Sequence, residues 1–214
     1  NDVLNITAAP GNVPGEVVLA GDLAMSLHFI GGAGADTIIS GSGNDFVDGN
    51  QGNDGALLGA GNDTYQGDPG DGSDTVDGQA GFDTLHFNGS NIGEQIEIVG
   101  NGSLAELTRN IANIAMHLNN VERIEFNALR GADTIHVGDL SGSKTSQVAI
   151  DLGDFNGTGG DGANDTVIAD GRDKNDNIHI TADQAGIAVS GLHAAVTIAH
   201  AESGDMVVVN GLGG

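Results

Sequence analysis

Six aspartates, Asp36, Asp45, Asp54, Asp63, Asp74 and Asp83, follow one another at intervals of 9, 9, 9, 11 and 9 residues. Each comes two places after a glycine (Gly34, Gly43, Gly52, Gly61, Gly72 and Gly81) and two places before a residue that can face a core: Ile38, Val47, Ala56, Tyr65, Val76 or Leu85. The units are GGAGADTII at 31–39, SGSGNDFVD at 40–48, GNQGNDGAL at 49–57, LGAGNDTYQ at 58–66, PGDGSDTVD at 69–77 and GQAGFDTLH at 78–86. The long interval takes in an extra Gly67-Asp68. Periodic carboxylates framed by glycine are suited to holding a hard cation, provided the chain stacks them.

Stacking follows from the shortness of the units. A G-x-G-x-D run permits positive φ and close chain approach at a turn, and the following apolar residue begins a strand of about three residues. One such strand buries nothing alone, so the units must pile up as a solenoid. Two units, 18 residues, make one coil with turns on opposite edges, which places Asp36 over Asp54 and Asp74, and Asp45 over Asp63 and Asp83. Carboxylates one strand spacing apart, about 4.8 Å, repel one another. Ca²⁺ relieves this, because it accepts six to eight carboxylate and carbonyl oxygens at roughly 2.3–2.6 Å. Each ion is expected between consecutive turns of one edge, bound by two stacked aspartates and by carbonyls at the second and fourth positions of the units. Those positions are Gly32 and Gly34, Gly41 and Gly43, Asn50 and Gly52, Gly59 and Gly61, Gly70 and Gly72, and Gln79 and Gly81. About three to five ions are expected. Mg²⁺ prefers tighter octahedral, water-rich coordination. Zinc is disfavoured: the chain has no cysteine, and its 7 histidines show no ligand-like spacing.

Composition supports this reading. Glycine supplies 37 of 214 residues, with 3 prolines and no G-X-Y period, so the chain is neither an ordinary globule nor collagen-like. Asp and Glu total 30 against 6 Lys and Arg, a net charge of −24, and no basic residue precedes Arg109. That excludes binding of nucleic acid or an anionic membrane through a basic face. No apolar run is long enough to span a membrane. The chain starts at Asn1 without a positively charged leader and ends in Gly211-Leu212-Gly213-Gly214, so both ends read as cuts in a longer polypeptide. Absence of cysteine fits an extracellular protein stabilised by something other than disulfides, and equally a cytosolic one.

Residues 31–86 resemble the nonapeptide repeats of hemolysin-type, or RTX, calcium-binding proteins, whose pattern is G-G-x-G-x-D-x-U-x with U a large apolar residue. The resemblance implies a right-handed parallel β-roll with Ca²⁺ in its turns, in a protein exported by bacterial type I secretion and found outside the cell or on its surface. This chain departs from the pattern at Leu58 and Pro69 (first position), at Asn50 and Gln79 (second position), and at Gly55-Ala56-Leu57. Asn tolerates a left-handed conformation; Gln79 is expected to do so less well. Asp48 and Asp77 are read as solvated edge charges or outer ligands, and Asp68 with Asp71 as a lengthened turn or a separate ion cage.

Beyond residue 90 the period breaks. Segments 95–99, 104–108, 113–118 and 121–126 alternate as strands, although 104–118 also fits a helical period. Further short strands are expected at 132–137, 147–152, 164–168, 176–180, 186–190, 195–198 and 205–209, the coils of a looser β-helix. Asp133, Asp165, Asp176 and Asp205 resemble repeat aspartates without the full glycine frame, and the oxygen-rich loop 151–165 lacks the Glu and helices of an EF-hand. The expected organisation is an all-β solenoid: leading strands or a cap at 1–30, a calcium-binding roll at 31–90, and a degenerate β-helical extension at 91–214. H-E-x-x-H and G-x-S-x-G are absent, and no enzymatic role is expected. The expected role is a calcium-dependent structural or folding module of a longer exported protein. The alternatives are an adhesin or glycan-binding module, with a cell-surface partner, or the non-catalytic part of a secreted enzyme or toxin.

Overall fold

The computed structural model describes residues 3–7, 17–19, 24–155, 157 and 159–213. Part of the expected leading segment 1–30 therefore lies outside the described residues. The first strands are β1 (Val3–Thr7), β2 (Val17–Leu19), β3 (Ser26–Ile30), β4 (Thr37–Ile39), β5 (Phe46–Asp48), β6 (Gly55–Leu57), β7 (Thr64–Gly67), β8 (Thr75–Asp77) and β9 (Thr84–Asn88). Then come β10 (Gln95–Asn101), β11 (Leu104–Arg109), β12 (Ile114–Asn119), β13 (Arg123–Asn127), β14 (Thr134–Val137) and β15 (Gln147–Asp151). The last are β16 (Thr166–Asp170), β17 (His179–Asp183), β18 (Gly186–Ser190), β19 (Ala195–Ala199) and β20 (Met206–Asn210). The expected helical alternative for 104–118 is not taken up: two strands flank a single 3₁₀ turn at Ile111–Asn113.

These strands form two sheets, β1-β3-β5-β7-β9-β13-β15-β19-β18-β17 and β2-β4-β6-β8-β12-β11-β10-β14-β16-β20. Through residue 88 the chain alternates between them, each strand pairing in parallel with the strand two earlier. The fold is an all-β, mainly parallel solenoid, as the repeat period requires. Two antiparallel excursions interrupt the winding: β10-β11-β12 fill out the second sheet between β8 and β14, and β17-β18 extend the first sheet beyond β19.

The core is a set of apolar rows running along the coil axis. In one row Phe29, Val47, Tyr65, Leu85, Ile124, Val148 and Val196 lie in register. A second takes Ile38, Ala56, Val76 and Leu118. All are at most 2% exposed, and they belong to one continuous cluster that spans the roll and the later coils. Burying a Val, Leu or Ile is worth roughly 1.5–3 kcal/mol, and a row makes that gain depend on both neighbours.

Glycine at the fourth position is demanded by the stack. A Cβ on Gly72 would lie 1.2 Å from the carbonyl oxygen of Gly52, and one on Gly81 1.5 Å from that of Gly61. Each coil presses a backbone carbonyl into the space where the next coil has no side chain. By contrast, Gly55 on β6 has nothing within 4 Å of its would-be Cβ. Gly72→Ala is therefore expected to destabilise the calcium-loaded chain by more than ~2 kcal/mol, because the obstacle is backbone. Gly55→Ala is expected to be neutral or to stabilise by about 0.4–1 kcal/mol. Thermal unfolding of the two variants checks the pair.

Candidate metal centre

The periodic aspartates face each other across coils. The Asp36 amide donates to Asp54 Oδ1 at 2.7 Å, and the Asp54 amide to Asp74 Oδ1 at 2.9 Å. On the opposite edge the amides of Leu27, Asp45 and Asp63 donate to Oδ1 of Asp45, Asp63 and Asp83 at 2.7, 2.8 and 2.9 Å. The Asp83 amide continues this line to Glu122 Oε2 at 2.9 Å. The 18- and 20-residue stacking expected from the sequence is thus realised as carboxylate-to-amide bonds. All six aspartates are at most 3% exposed.

From Asp45 to Asp83 one oxygen of each carboxylate is spent on that bond; the fate of the other varies from unit to unit. Gly32 and Gly41 donate their amides to Oδ2 of Asp36 and Asp45, at 3.4 and 3.2 Å. Asn50 and Gln79 instead adopt left-handed φ of 59° and 65°, so Gln79 takes up the conformation it was expected to resist. Their amides turn away to Oδ1 of Asp48 and Asp77, at 2.9 and 3.0 Å. These two edge aspartates thus hold the left-handed turns. Gly59 is also left-handed, at 93°. In these three units Oδ2 of Asp54, Asp63 and Asp83 is buried without a hydrogen-bond partner.

Electrostatics matches the geometry. Burial, aided by Asp74, Asp36 and Asp71, pushes Asp54 up to about 7 despite the stabilising Asp36 amide. Burial and the neighbouring Asp83 and Asp45 do the same to Asp63, also to about 7. Asp83 is raised to about 6 by burial, Glu122 and Asp77, and Asp74 is raised chiefly by burial. A buried carboxylate oxygen with no donor needs a proton or a cation.

The residues present suit Ca²⁺. A Cβ on Gly49 would lie 2.3 Å from Asp54 Oδ2 and 2.7 Å from Tyr65 Oη, and one on Gly78 2.5 Å from Asp83 Oδ2, so these two glycines keep space open beside two of the three orphan oxygens. No group of three or more His, Asp or Glu side chains able to hold a metal occurs among the described residues. Backbone carbonyls must therefore complete any site, as hard-cation coordination allows. In the lengthened turn, the Asp68 amide binds Asp71 Oδ2 at 2.7 Å, while Gln66 and Asn88 donate to Asp68 Oδ1 at 3.0 and 2.7 Å. Those carboxylates serve the turn itself.

Later carboxylates extend the pattern in ways the sequence reading only partly caught. Amides of Glu94, Asp133 and Asp165 donate to Oδ1 of Asp133, Asp165 and Asp205, at 2.7, 2.8 and 2.9 Å. Glu94 is neutralised by the buried Arg109, whose Nε lies 2.7 Å from Oε1 and whose Nη2 contacts the same oxygen. Asp176 is met by Arg172 Nε at 2.6 Å. Glu94, Glu122, Arg109 and Arg172 were not singled out from sequence. The glycine five residues before Glu94, Gly89, was the available signal, since Asp54 and Asp83 follow Gly49 and Gly78 by the same step. Histidines pair with outer-face acids, His86 with Glu125 at 3.0 Å, His136 with Asp170 at 2.8 Å and His200 with Asp151 at 2.6 Å.

A pH dependence follows. Without metal, the folded-state pKa values of Asp54, Asp63 and Asp83 exceed the unfolded value of about 3.9, so their contribution to stability is fully present near pH 4 and lost as pH rises through 6–7. The metal-free chain is expected to melt higher at pH 5 than at pH 8, and the extra stability given by Ca²⁺ to be smaller at pH 5, where protons compete for the oxygens, than at pH 8. Melting curves with and without chelator at the two pH values check both parts.

One comparison with known proteins, that with family models, agrees with the site. Residues 30–65 and 68–86 match the RTX calcium-binding nonapeptide repeat in four copies. No curated protein matches the chain. Among solved structures, the extracellular lipase LipA from Serratia marcescens aligns at 14% identity with a TM-score of 0.24. The alignment covers 83% of this chain, which spans only 38% of the lipase chain. RTX repeats bind calcium, and they occur in secreted bacterial proteins. The periodic buried aspartates and stacked glycines thus fall within the segments, residues 30–65 and 68–86, that match the RTX calcium-binding nonapeptide repeat.

Proposed function

We propose that the chain is a calcium-dependent structural and folding module of an exported bacterial protein, with ions held between stacked turns by Asp36, Asp45, Asp54, Asp63, Asp74 and Asp83 and by carbonyls of the second and fourth positions. The observation that carries this reading is the buried, partnerless Oδ2 of Asp54, Asp63 and Asp83. Without a cation these turns must either take up protons or bury like charges. Calcium removes the conflict by binding only the folded stack, which adds about 2.7 kcal/mol per site at a hundredfold excess over Kd. A stack that forms only where calcium is plentiful suits a protein that crosses a membrane unfolded and folds outside. Function is then mechanical rather than catalytic: the roll sets the shape and stiffness of its part of the chain.

Titration of the full chain tests the reading. Millimolar Ca²⁺ is expected to increase the far-UV sheet signal; no response, or an equal response to Mg²⁺, overturns it. Asp54→Ala should lower the bound-calcium count further than Asp36→Ala, since Asp54 stacks between two repeat aspartates, Asp36 and Asp74, and has an unpartnered oxygen. Equal losses contradict the stacking. We further propose that coils beyond residue 90 depend less on calcium, because Arg109 and Arg172 supply positive charge there. Hydrogen exchange of the chelated chain should then show protection lost in β4–β9 before β13–β20. Loss in one step would make the two halves a single cooperative unit.

A further inference from the structure

Outside the matched repeats, one turn reproduces the backbone and carboxylate arrangement of the orphan-oxygen turns in a sequence that hides it. This turn runs Ala128-Leu129-Arg130-Gly131-Ala132-Asp133, with neither of the two leading glycines of the repeat. Leu129, four residues before Asp133, is left-handed with φ of 68°, the place and conformation of Asn50 before Asp54 and Gln79 before Asp83. For a leucine that conformation carries a steric cost, so the surroundings must impose it. Gly131 occupies the fourth position with φ of 122°, close to the 121° of Gly34. From Gly131 to Ile135 the residues repeat Gly34 to Ile38 letter for letter.

Asp133 completes the likeness. It is 2% exposed; its Oδ1 accepts the Glu94 amide at 2.7 Å, and its Oδ2 is buried with no hydrogen-bond partner. Other acids in this stack are dealt with differently. Glu94, in the coil before, has Arg109, whereas Asp205, two coils on, accepts the Glu202 amide at Oδ2, 2.7 Å away. From the next coil, Asp165 caps the Asp133 amide at 2.8 Å, and Asp161 binds the Gly131 amide through Oδ2 at 2.9 Å. Asp133 thus meets Glu94, Asp161 and Asp165, while Arg130 in the same turn is exposed and enters none of the ion pairs among the described residues.

We propose that the Ala128–Asp133 turn is a further divalent-cation site, selective for Ca²⁺, with Asp133 Oδ2 as its buried carboxylate ligand and turn carbonyls supplying the rest. Hard oxygen donors without His or Cys exclude a soft metal, and a backbone-built cage suits Ca²⁺ better than Mg²⁺. The site extends the calcium reading beyond residue 86 but stands on a different residue, so either can fail alone.

The test counts Ca²⁺ bound to the full chain at equilibrium and follows Tb³⁺ emission sensitised by Tyr65, the single tyrosine, whose hydroxyl lies beside Asp54. Asp133→Asn keeps an oxygen for the Glu94 amide. It is expected to bind one equivalent fewer than the parent chain while Tyr65-sensitised emission is unchanged. Asp54→Asn, in contrast, should lose emission and keep the Asp133 ion. An unchanged count in Asp133→Asn overturns the proposal whatever Asp54→Asn does. Should Asp133→Asn fail to fold, anomalous diffraction from the unmutated chain grown in Ca²⁺ decides: a peak about 2.3–2.6 Å from Asp133 Oδ2 supports the site, and its absence there with peaks in the roll refutes it.

Discussion

The bond on which the rest of the structure depends runs from a backbone amide in one coil to the carboxylate of an acid in the next. It occurs at Asp36, Asp45, Asp54, Asp63 and Asp83 in the roll and again at Glu94, Asp133 and Asp165 beyond it. A parallel solenoid with turns this tight leaves an amide at each corner that its own sheet does not use, and a buried unpaired amide costs about 1–3 kcal/mol. Aspartate two residues after a glycine reaches it with one oxygen. Everything else in the corner follows from what happens to the second oxygen.

Three answers to that question coexist in one chain. In the first two units the oxygen is satisfied by a backbone amide, from Gly32 or Gly41. Glu94 and Asp176 are met by an arginine, with Ser90 or the Arg172 amide beside it. At Asp54, Asp63, Asp83 and Asp133 nothing in the polypeptide meets the second oxygen. The distribution parallels the charge asymmetry along the sequence: the segment holding Asp54, Asp63 and Asp83 carries no basic residue, and the first one, Arg109, pairs with Glu94 beyond the repeats.

Much of this was legible in the sequence because the period is short and the turns are local. Interval, glycine placement and the apolar residue after each aspartate together determine which side chains are buried and which aspartates stack, from Ile38 and Asp36 to Leu85 and Asp83. What the sequence did not disclose depends on distant partners or on backbone torsion. Arg109 meets Glu94 only because β11 folds back antiparallel on β10, an excursion whose strands also fitted a helical period. Left-handed geometry at Leu129 is invisible in a residue type that disfavours it, and Gln79 misled for the same reason. There the surrounding coils override local preference.

The corner bonds also have a direction. In the buried series the amide belongs to the earlier coil and the carboxylate to the later one; exposed asparagines, such as Asn62 Oδ1 accepting from Phe82, run the other way. Stripping a coil from the trailing end would therefore replace a charged acceptor by water at each exposed amide. Stripping one from the leading end uncovers a carboxylate, which gains the hydration that burial had denied it. The solenoid should accordingly erode unequally from its two ends, and each coil as it is laid down completes the one that came before it in the chain.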